Sequence, residues 1–347
     1  MAKLGDIATY INGYPFKPDD WSDTGLPIIR IQDLTGNSYQ ANRYKGEYQP
    51  KYEVNAGDVL ISWSASLGVY IWQGEKALLN QHIFKVVFNK EAVSKDFFVF
   101  QVERILKKAA QDVHGATMKH LTKPVFDALP FYLPSYEEQC NIANKLKYVR
   151  SIIEQRQEQL TKLDELIKAR FVELFNGQGY PVLKWNDVFN TTTGKLDSNA
   201  AVENGEYPFF TCSKEILRID KYAFEQKALL LAGNNAAGKY DVKYYNGKFN
   251  AYQRTYVLGL KENWSYRLFQ YQLEDKLEYL QQQSLGGLTK YLTLKILGSL
   301  EFIIPPKDRQ DEFDTFVGRV DRQKLAVQQS LDKLELLKNA LMQEYFG

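Results

Sequence analysis

Cysteine is nearly absent from this chain: Cys140 and Cys212 are the two in 347 residues. They cannot make a disulfide framework or a four-cysteine zinc site, so a reducing, cytoplasmic setting is the expectation. Histidine is as scarce, and His82, His114 and His120 show no zinc-binding spacing, so no catalytic metal is expected. No apolar run approaches the roughly 18 residues that span a membrane. The opening Met1-Ala2-Lys3-Leu4-Gly5-Asp6 holds no signal-like apolar core. A strong charge of one sign is missing too: 44 Lys and Arg oppose 42 Asp and Glu, a net +2. Any nucleic-acid-binding face must therefore be local.

What is present is a globular composition, 44% hydrophobic and 25% charged, long enough for two domains. Aromatics are plentiful, with 23 Tyr and 20 Phe, and many tyrosines sit beside Lys, Arg, Asn or Gln.

Self-comparison exposes a duplication. Leu121-Thr122 recurs 171 residues later as Leu292-Thr293, Leu129 as Leu300, Pro134 as Pro305 and Gln139 as Gln310, with no gap from Gly115 to the C-terminus. Upstream, Gln101 matches Gln272, Gln81 matches Gln253, Gly68 matches Gly238, Pro27 matches Pro208 and Gly13 matches Gly194, at offsets of 170 to 181 that imply loop insertions. Each copy is a variable globular part of about 135 residues followed by a helical tail.

The tails carry heptad seams. In the first, Ile142, Leu146, Val149, Ile153, Arg156, Leu160, Leu163, Ile167, Arg170 and Leu174 follow 4,3 spacing. The second seam is Phe313, Val317, Val320, Lys324, Val327, Leu331, Leu334, Lys338, Leu341 and Tyr345. Basic residues interrupt the two seams at different places. The tails should therefore pack on each other, with long basic stems over apolar positions and charged heads in solvent. Ser135 and Asp308 are the expected N-caps, and Asn176-Gly177 the first stop. Roughly 39 residues at ~1.5 Å each make a rod of about 58 Å, the length of about 17 base pairs.

The globular parts read as mixed. Strands are expected at 27–31, 58–62 and 84–88 and near Pro208, Ala228 and Tyr256, and helices at 97–110 and 266–283. The fold class is α+β: two mixed domains in a pseudo-twofold repeat, with the two long helices packed as an antiparallel coiled coil. The expected boundaries are residues 1–135 and 178–306 for the domains, and 136–177 and 307–347 for the helices.

The run Gly233-Asn234-Asn235-Ala236-Ala237-Gly238-Lys239 follows an apolar strand and nearly matches a phosphate-binding loop. Tyr240 stands where Ser or Thr should hold magnesium, however, and residues 242–249 read as strand and turn, so nucleotide hydrolysis is not expected. Pro18-Asp19 lacks a downstream nuclease Glu-x-Lys. Ile304-Pro305-Pro306-Lys307 lacks the flanking residues of an amino-methyltransferase site. No catalytic centre and no cofactor are therefore expected.

What remains suits nucleic acid. Basic and aromatic residues interleave at 43–45, 51–52, 239–240, 243–245 and 290–291, offering phosphate contacts beside flat groups. Candidate DNA contacts are Arg30, Arg43, Lys45, Ser64, Ser66, Gln81, His82 and Lys119 in the first copy. In the second they are Asn234, Asn235, Lys239, Gln253, Arg254 and Lys290. Gln, Asn and Arg can make bidentate contacts to base edges, although each can equally satisfy local backbone. Lys119 with Lys290, and Gln81-His82 with Gln253-Arg254, recur in both copies.

This order of domain, Leu-Pro or Ile-Pro stretch, nearby Gln and long helix, given twice, resembles the DNA-specificity subunit of type I restriction-modification systems. Residues 115–122, Gly57-Asp58-Val59-Leu60 and Tyr207-Pro208-Phe209-Phe210 look like that family as well. The resemblance implies two inverted target-recognition domains on double-stranded DNA, each reading half of a split target, with the coiled coil fixing the gap. It implies partners: methyltransferase subunits that use S-adenosylmethionine, and an ATP-dependent restriction subunit. It locates catalysis in those partners. The chain is compact for the family, which would weaken contacts made by terminal extensions in longer relatives. Residues 43–52 have no evident match in the second copy, so unlike half-sites and an asymmetric target are expected. The rival expectation is a coiled-coil scaffold that bridges proteins without reading sequence.

Overall fold

The amide of a buried glutamine joins each long helix to its globular part, and the two copies do this with the same atoms. Gln139 Oε1 accepts the Ser94 N–H at 2.9 Å and its Nε2 donates to the Pro134 carbonyl at 3.0 Å. In the second copy, Gln310 Oε1 accepts the Ser265 N–H at 2.8 Å and its Nε2 donates to the Pro305 carbonyl at 2.8 Å. Both side chains are buried, so each amide meets the need of buried backbone groups for partners. A second pair behaves alike. Gln272 exchanges bonds with the backbone of Ile303, and Gln101 faces both backbone groups of Tyr132.

The computed structural model describes residues 1–36, 42–112, 122–236, 238–287 and 289–347. The chain divides into two units, residues 1–157 with 329–347 and residues 158–328, a division that runs through both long helices. Among the described residues no helix is long and apolar enough to cross a membrane.

The first unit contains strands β1 (Ala2–Lys3), β2 (Thr9–Asn12), β3 (Leu26–Ile29), β4 (Arg43–Tyr44), β5 (Glu53–Val54), β6 (Val59–Ser62), β7 (Gly68–Ile71), β8 (Ala77–Leu79), β9 (Ile83–Val87) and β10 (Pro130–Phe131). Its helical elements are α1 (Leu4–Ile7), α2 (Ile31–Leu34), α3 (Lys95–Asp112), α4 (Lys123–Asp127) and the first half of α5 (Tyr136–Phe175). Two four-stranded sheets run β2-β9-β6-β7 and β4-β3-β8-β5, and β1 pairs with β10. The core gathers Phe84, Phe97, Phe98, Phe126 and Phe131 with Ile142 and Leu146 of α5.

The second unit contains β11 (Val182–Lys184), β12 (Phe189–Thr193), β13 (Tyr207–Phe210), β14 (Leu217–Ile219), β15 (Phe224–Ala232), β16 (Asn234–Asn235), β17 (Val242–Ala251), β18 (Thr255–Leu260), β19 (Lys290–Tyr291) and β20 (Glu301–Ile303). Its helical elements are α6 (Trp185–Val188), α7 (Tyr266–Glu274), α8 (Leu277–Gln283), α9 (Leu294–Leu297) and the first half of α10 (Lys307–Phe346). One sheet runs β12-β18-β15-β17-β13-β14, with β11-β20 and β16-β19 as separate pairs.

The same frame underlies both units. The parallel register Ile28 to Leu78 and Ile29 to Leu79 returns as Phe209 to Asn250 and Phe210 to Ala251. A Cβ on Gly13 would lie 2.0 Å from the Asn80 carbonyl oxygen, and one on Gly194 would lie 1.8 Å from that of Ala251. Strand and crossing backbone thus meet where no side chain fits. The sheets differ because a turn at 55–57, closed by Gly57 at φ +88° with its N–H on the Trp72 carbonyl, separates β5 from β6. In the second unit the chain runs on as the single strand β15.

Several expectations are corrected. Residues 266–283 form two helices, not one, because a break at Asp275-Lys276 lets Leu280 enter the core that holds Leu273. Strand β17 continues through Gly247 without a turn, held by eight paired positions on β15. Ile31 opens α2 instead of ending a strand. Asp308 lies in the first turn of α10, where its charge favours the helix dipole, and is not the cap. Ser135 does cap α5, its Oγ accepting the Glu138 N–H at 3.2 Å.

Within each unit the long helices pack antiparallel. In the second, Phe171 and Phe175 at the end of α5 meet Phe313 at the start of α10, with ring centroids 5.9 and 5.6 Å apart. In the first, Ile142 near the start of α5 shares a core with Met342 near the end of α10. Seam residues Ile142, Leu146, Val149, Ile153, Leu163, Ile167, Val317, Val320 and Val327 are buried. Leu160, Leu331, Leu334 and Leu341 are half-buried, and Met342, off the seam, lies deeper than Leu341. Lys324 reaches Asp164 at 2.5 Å, while Arg170 pairs with Glu173 and Glu312 and lies over Phe316. Arg170, Lys324 and Lys338, which contacts Glu335, thus direct their heads to acids instead of to open solvent.

Candidate nucleic-acid interface

In the second unit the sheet end carries a loop that leaves β15 at Gly233. Gly233 N–H donates to the Arg254 carbonyl at 2.8 Å, and Leu292 N–H donates back to the Gly233 carbonyl at 2.8 Å. The segment β16 then pairs with β19, Asn234 opposite Tyr291 and Asn235 opposite Lys290. Gly238, at φ +66°, turns the chain beside the Lys290 stem. Tyr256 Oη fixes the far side by donating to the Leu292 carbonyl at 3.0 Å, and burial raises the pKa of that hydroxyl. Asn234, Asn235, Lys239, Arg254 and Lys290 are thereby brought to one surface, with Lys239 and Arg254 exposed. Gln253 is exposed alongside and holds Asp197 at 3.3 Å.

The first unit builds the corresponding corner from the β6–β7 hairpin. Trp63 N–H donates to the His82 carbonyl at 3.2 Å, its Nε1 donates to Asn12 Oδ1 at 3.2 Å, and its ring meets the His82 imidazole edge-on at 5.0 Å. Gln81 N–H donates to the Tyr14 carbonyl at 2.9 Å. Ala65 and His82 both have positive φ, +58° and +73°, so the backbone is bent sharply at this corner. Gln81 and His82 lie beside the strand end from which the turn carrying Ser66 leaves, while Ser64 is buried.

The remaining candidates scatter. Arg30 follows β3, whose Ile29 carbonyl takes the Asn80 N–H, and its guanidinium lies 5.2 Å from the Trp21 ring centroid. Arg43 is engaged within the fold, donating to the Gly25 carbonyl and Glu75, each at 2.8 Å. Lys45 is exposed. Lys119, with residues 115–121, lies outside the described residues. Among the described residues no group of three His, Cys, Asp or Glu side chains gathers to hold a metal.

Each unit therefore presents a polar corner at the end of its sheet, with a hydroxyl, an amide and an imidazole in the first and amides with basic heads in the second. Such a surface can bond phosphates and base edges. The family model for the type I restriction modification DNA specificity domain matches this chain twice, over residues 1–162 and 178–336. The chain belongs to this family. Among curated relatives, the type I restriction enzyme EcoDI specificity subunit of Escherichia coli is 31% identical over 170 residues, 47% of this chain and 37% of the relative. The EcoBI specificity subunit of the same organism is 27% identical over 168 residues, 48% of this chain and 35% of the relative. The matches thus span little more than a third of those relatives' own length. The crystal structure of a type I restriction-modification S subunit from M. genitalium has a TM-score of 0.62, covering 99% of this chain and 95% of that one at 14% identity, a likeness of fold.

For a specificity-domain chain, the residues that sequence reasoning overlooked are those that shape the corners. Trp63 and Asn12 brace the first, and Tyr256 and Cys212 the second, where Cys212 Sγ approaches the Arg254 carbonyl at 3.5 Å. The available signal was their position beside Gly13, Gly194 and the paired Gln81 and Gln253.

Proposed function

We propose that this chain is the specificity subunit of a type I restriction-modification enzyme. The observation that carries the reading is the double family match, supported by two units that share one frame and differ in their corner loops. Each unit reads one half of a split, asymmetric target on double-stranded DNA, the first through Ser66, Gln81 and His82 with Lys119, the second through Asn234, Asn235, Lys239, Arg254 and Lys290. The recognition domains are residues 1–135 and 178–306, and the helical spacers are residues 136–177 and 307–347. The chain itself is non-catalytic. It docks S-adenosylmethionine-dependent methyltransferase subunits and an ATP-dependent restriction subunit, which supply methylation, ATP hydrolysis and cleavage, and it works in the cytoplasm on cellular DNA.

Selection from random duplexes tests this. Two unlike half-sites at a fixed gap, bound with steep salt dependence, are expected. Binding without sequence preference would leave only the coiled-coil scaffold, and a palindromic split target would reject the asymmetry. Mapping methylated adenines in the source cells with and without the gene should show the same motif vanish. Removing matched heptads from α5 and α10 should shift the gap and keep both half-sites.

A further inference from the structure

Beside the first corner lies an aromatic pocket that no candidate above uses. Tyr14, Phe16, Tyr44, Tyr48 and Tyr52 line a cavity of about 350 Å³, at the lower end of the range for small-ligand sites. Its walls are fixed by edge-to-face packing, Tyr14 on Phe16 at 4.9 Å, Tyr14 on Tyr52 at 5.6 Å and Phe16 on Tyr44 at 5.1 Å. Tyr44 Oη donates to the Glu47 carbonyl at 3.1 Å and Tyr48 Oη to Glu53 at 3.0 Å, so the hydroxyls hold the walls as well. Tyr14 and Tyr48 stay exposed at 40% and 36%.

Two observations say what fits. First, the pocket abuts the corner: the Tyr14 carbonyl takes the Gln81 N–H, and Tyr14 bridges to Asn80. Second, its chemistry suits a nucleobase better than a cation. The Lys51 ammonium already lies 4.8 Å from the Tyr52 ring centroid, which opposes a cationic guest and favours a phosphodiester nearby. The charge of Glu53 is met by Lys76 at 2.8 Å. Glu47 and Gln49, both exposed on the rim, can accept N–H bonds from an exocyclic amine. The segment that supplies Tyr48 and Tyr52 is also specific to this unit. Eight residues, 45–52, join β4 to β5, whereas four, 220–223, join β14 to β15.

We propose that this pocket receives one amino-bearing base, adenine, cytosine or guanine but not thymine, of the first half-site, displaced from the duplex stack and lodged against Tyr14, Tyr48 and Tyr52. The inference rests on the DNA-specificity reading. A displaced base gives up pairing and stacking, so a pair that is already broken should bind better. The pocket recovers part of that loss by stacking, which is sequence-tolerant, while Glu47 and Gln49 select for the amine.

The test uses the chain alone and duplexes carrying its selected target, with each pair of the first half-site converted in turn to a mismatch by changing only the partner base. At one position the mismatch should tighten binding at least fivefold. Tyr48→Leu and Tyr52→Leu, which keep apolar bulk, should each remove that gain while selection at the second half-site persists, a sign that the variants are folded. Mismatches that never tighten binding, or a gain that survives both substitutions, would overturn the pocket and leave the specificity role standing. A chain that selects no target would overturn both.

Discussion

Removing Gln139 should loosen the first unit and leave the second intact, and removing Gln310 should do the reverse. Gln139→Ala strips the Ser94 N–H and the Pro134 carbonyl of their partner, and a weaker bond to the Ala92 carbonyl at 3.4 Å goes with them. A buried polar group left unsatisfied costs about 1–3 kcal/mol, so the two close contacts alone amount to roughly 2–6 kcal/mol. About 3 kcal/mol corresponds to roughly a 150-fold rise in the local opening equilibrium, at ~1.4 kcal/mol per tenfold. Hydrogen exchange on the intact chain reads this locally. Amides at the start of α3 should exchange about 100-fold faster in Gln139→Ala, with those of α7 as in the parent, and Gln310→Ala should reverse the pattern. Gln139→Glu should make the loss depend on pH. A carboxylate buried against the Pro134 carbonyl has its pKa raised by desolvation and repulsion, so its penalty is full at neutral pH and fades as pH falls through that raised pKa. Exchange within fivefold of the parent at its own helix start, for either alanine variant, would refute the claim that these amides fasten the helices.

Three further outcomes follow from particular contacts. Gly13→Ala and Gly194→Ala drive a methyl into backbone carbonyl oxygen and should each destabilise by about 2 kcal/mol, lowering the thermal midpoint of the affected unit by about 4–8 °C in calorimetry. Asp314 accepts from the Ser265 hydroxyl, and burial raises its carboxyl pKa above the ordinary value. Because the folded state binds the proton more tightly than the unfolded one, the parent should gain stability relative to Asp314→Asn as pH falls through the raised pKa, with the gain complete below the unfolded value. Parallel denaturation at pH 7 and pH 4.5 checks the direction. The Lys324–Asp164 pair is partly exposed, so Lys324→Met should change urea stability by less than about 1 kcal/mol, because the apolar stem remains over the seam.

The frame was legible where it obeys a period or a repeat. Heptad spacing located the seam because the a and d positions must face a partner, and the tightly packed Leu146 and Phe313 show it. Spacing could not rank Met342 above Leu341, since a helix that turns its last residues into a phenylalanine-rich core is guided by neighbours such as Phe97, whose ring lies 5.4 Å from Phe346. The Asp275-Lys276 break was equally hidden, because the apolar pattern continues across it and only the need to bury Leu280 reveals it. The division of one sheet into two hangs on a single turn at Gly57.

Base-reading residues are harder to find by the same means, for a reason built into the duplication. A residue kept in both copies does the same work twice. Gln101 with Gln272, Gln139 with Gln310 and Gly13 with Gly194 all prove to hold the frame. Gln81 with Gln253 follows the same logic in its backbone, since their N–H groups bond the Tyr14 and Leu196 carbonyls in equivalent places. Unlike half-sites must instead be told apart by what the copies do not share. The Trp63 corner against the Asn234-Asn235 ribbon, and the tyrosine-rich segment of residues 45–52 against the short link of residues 220–223, are where the two units diverge. Recurrence of Gln101, Gln139 and Gly13 therefore marks the scaffold. The recurring positions at Gln81-His82 and Lys290 would supply contacts common to both half-sites, and divergence at equivalent corners would tell the half-sites apart.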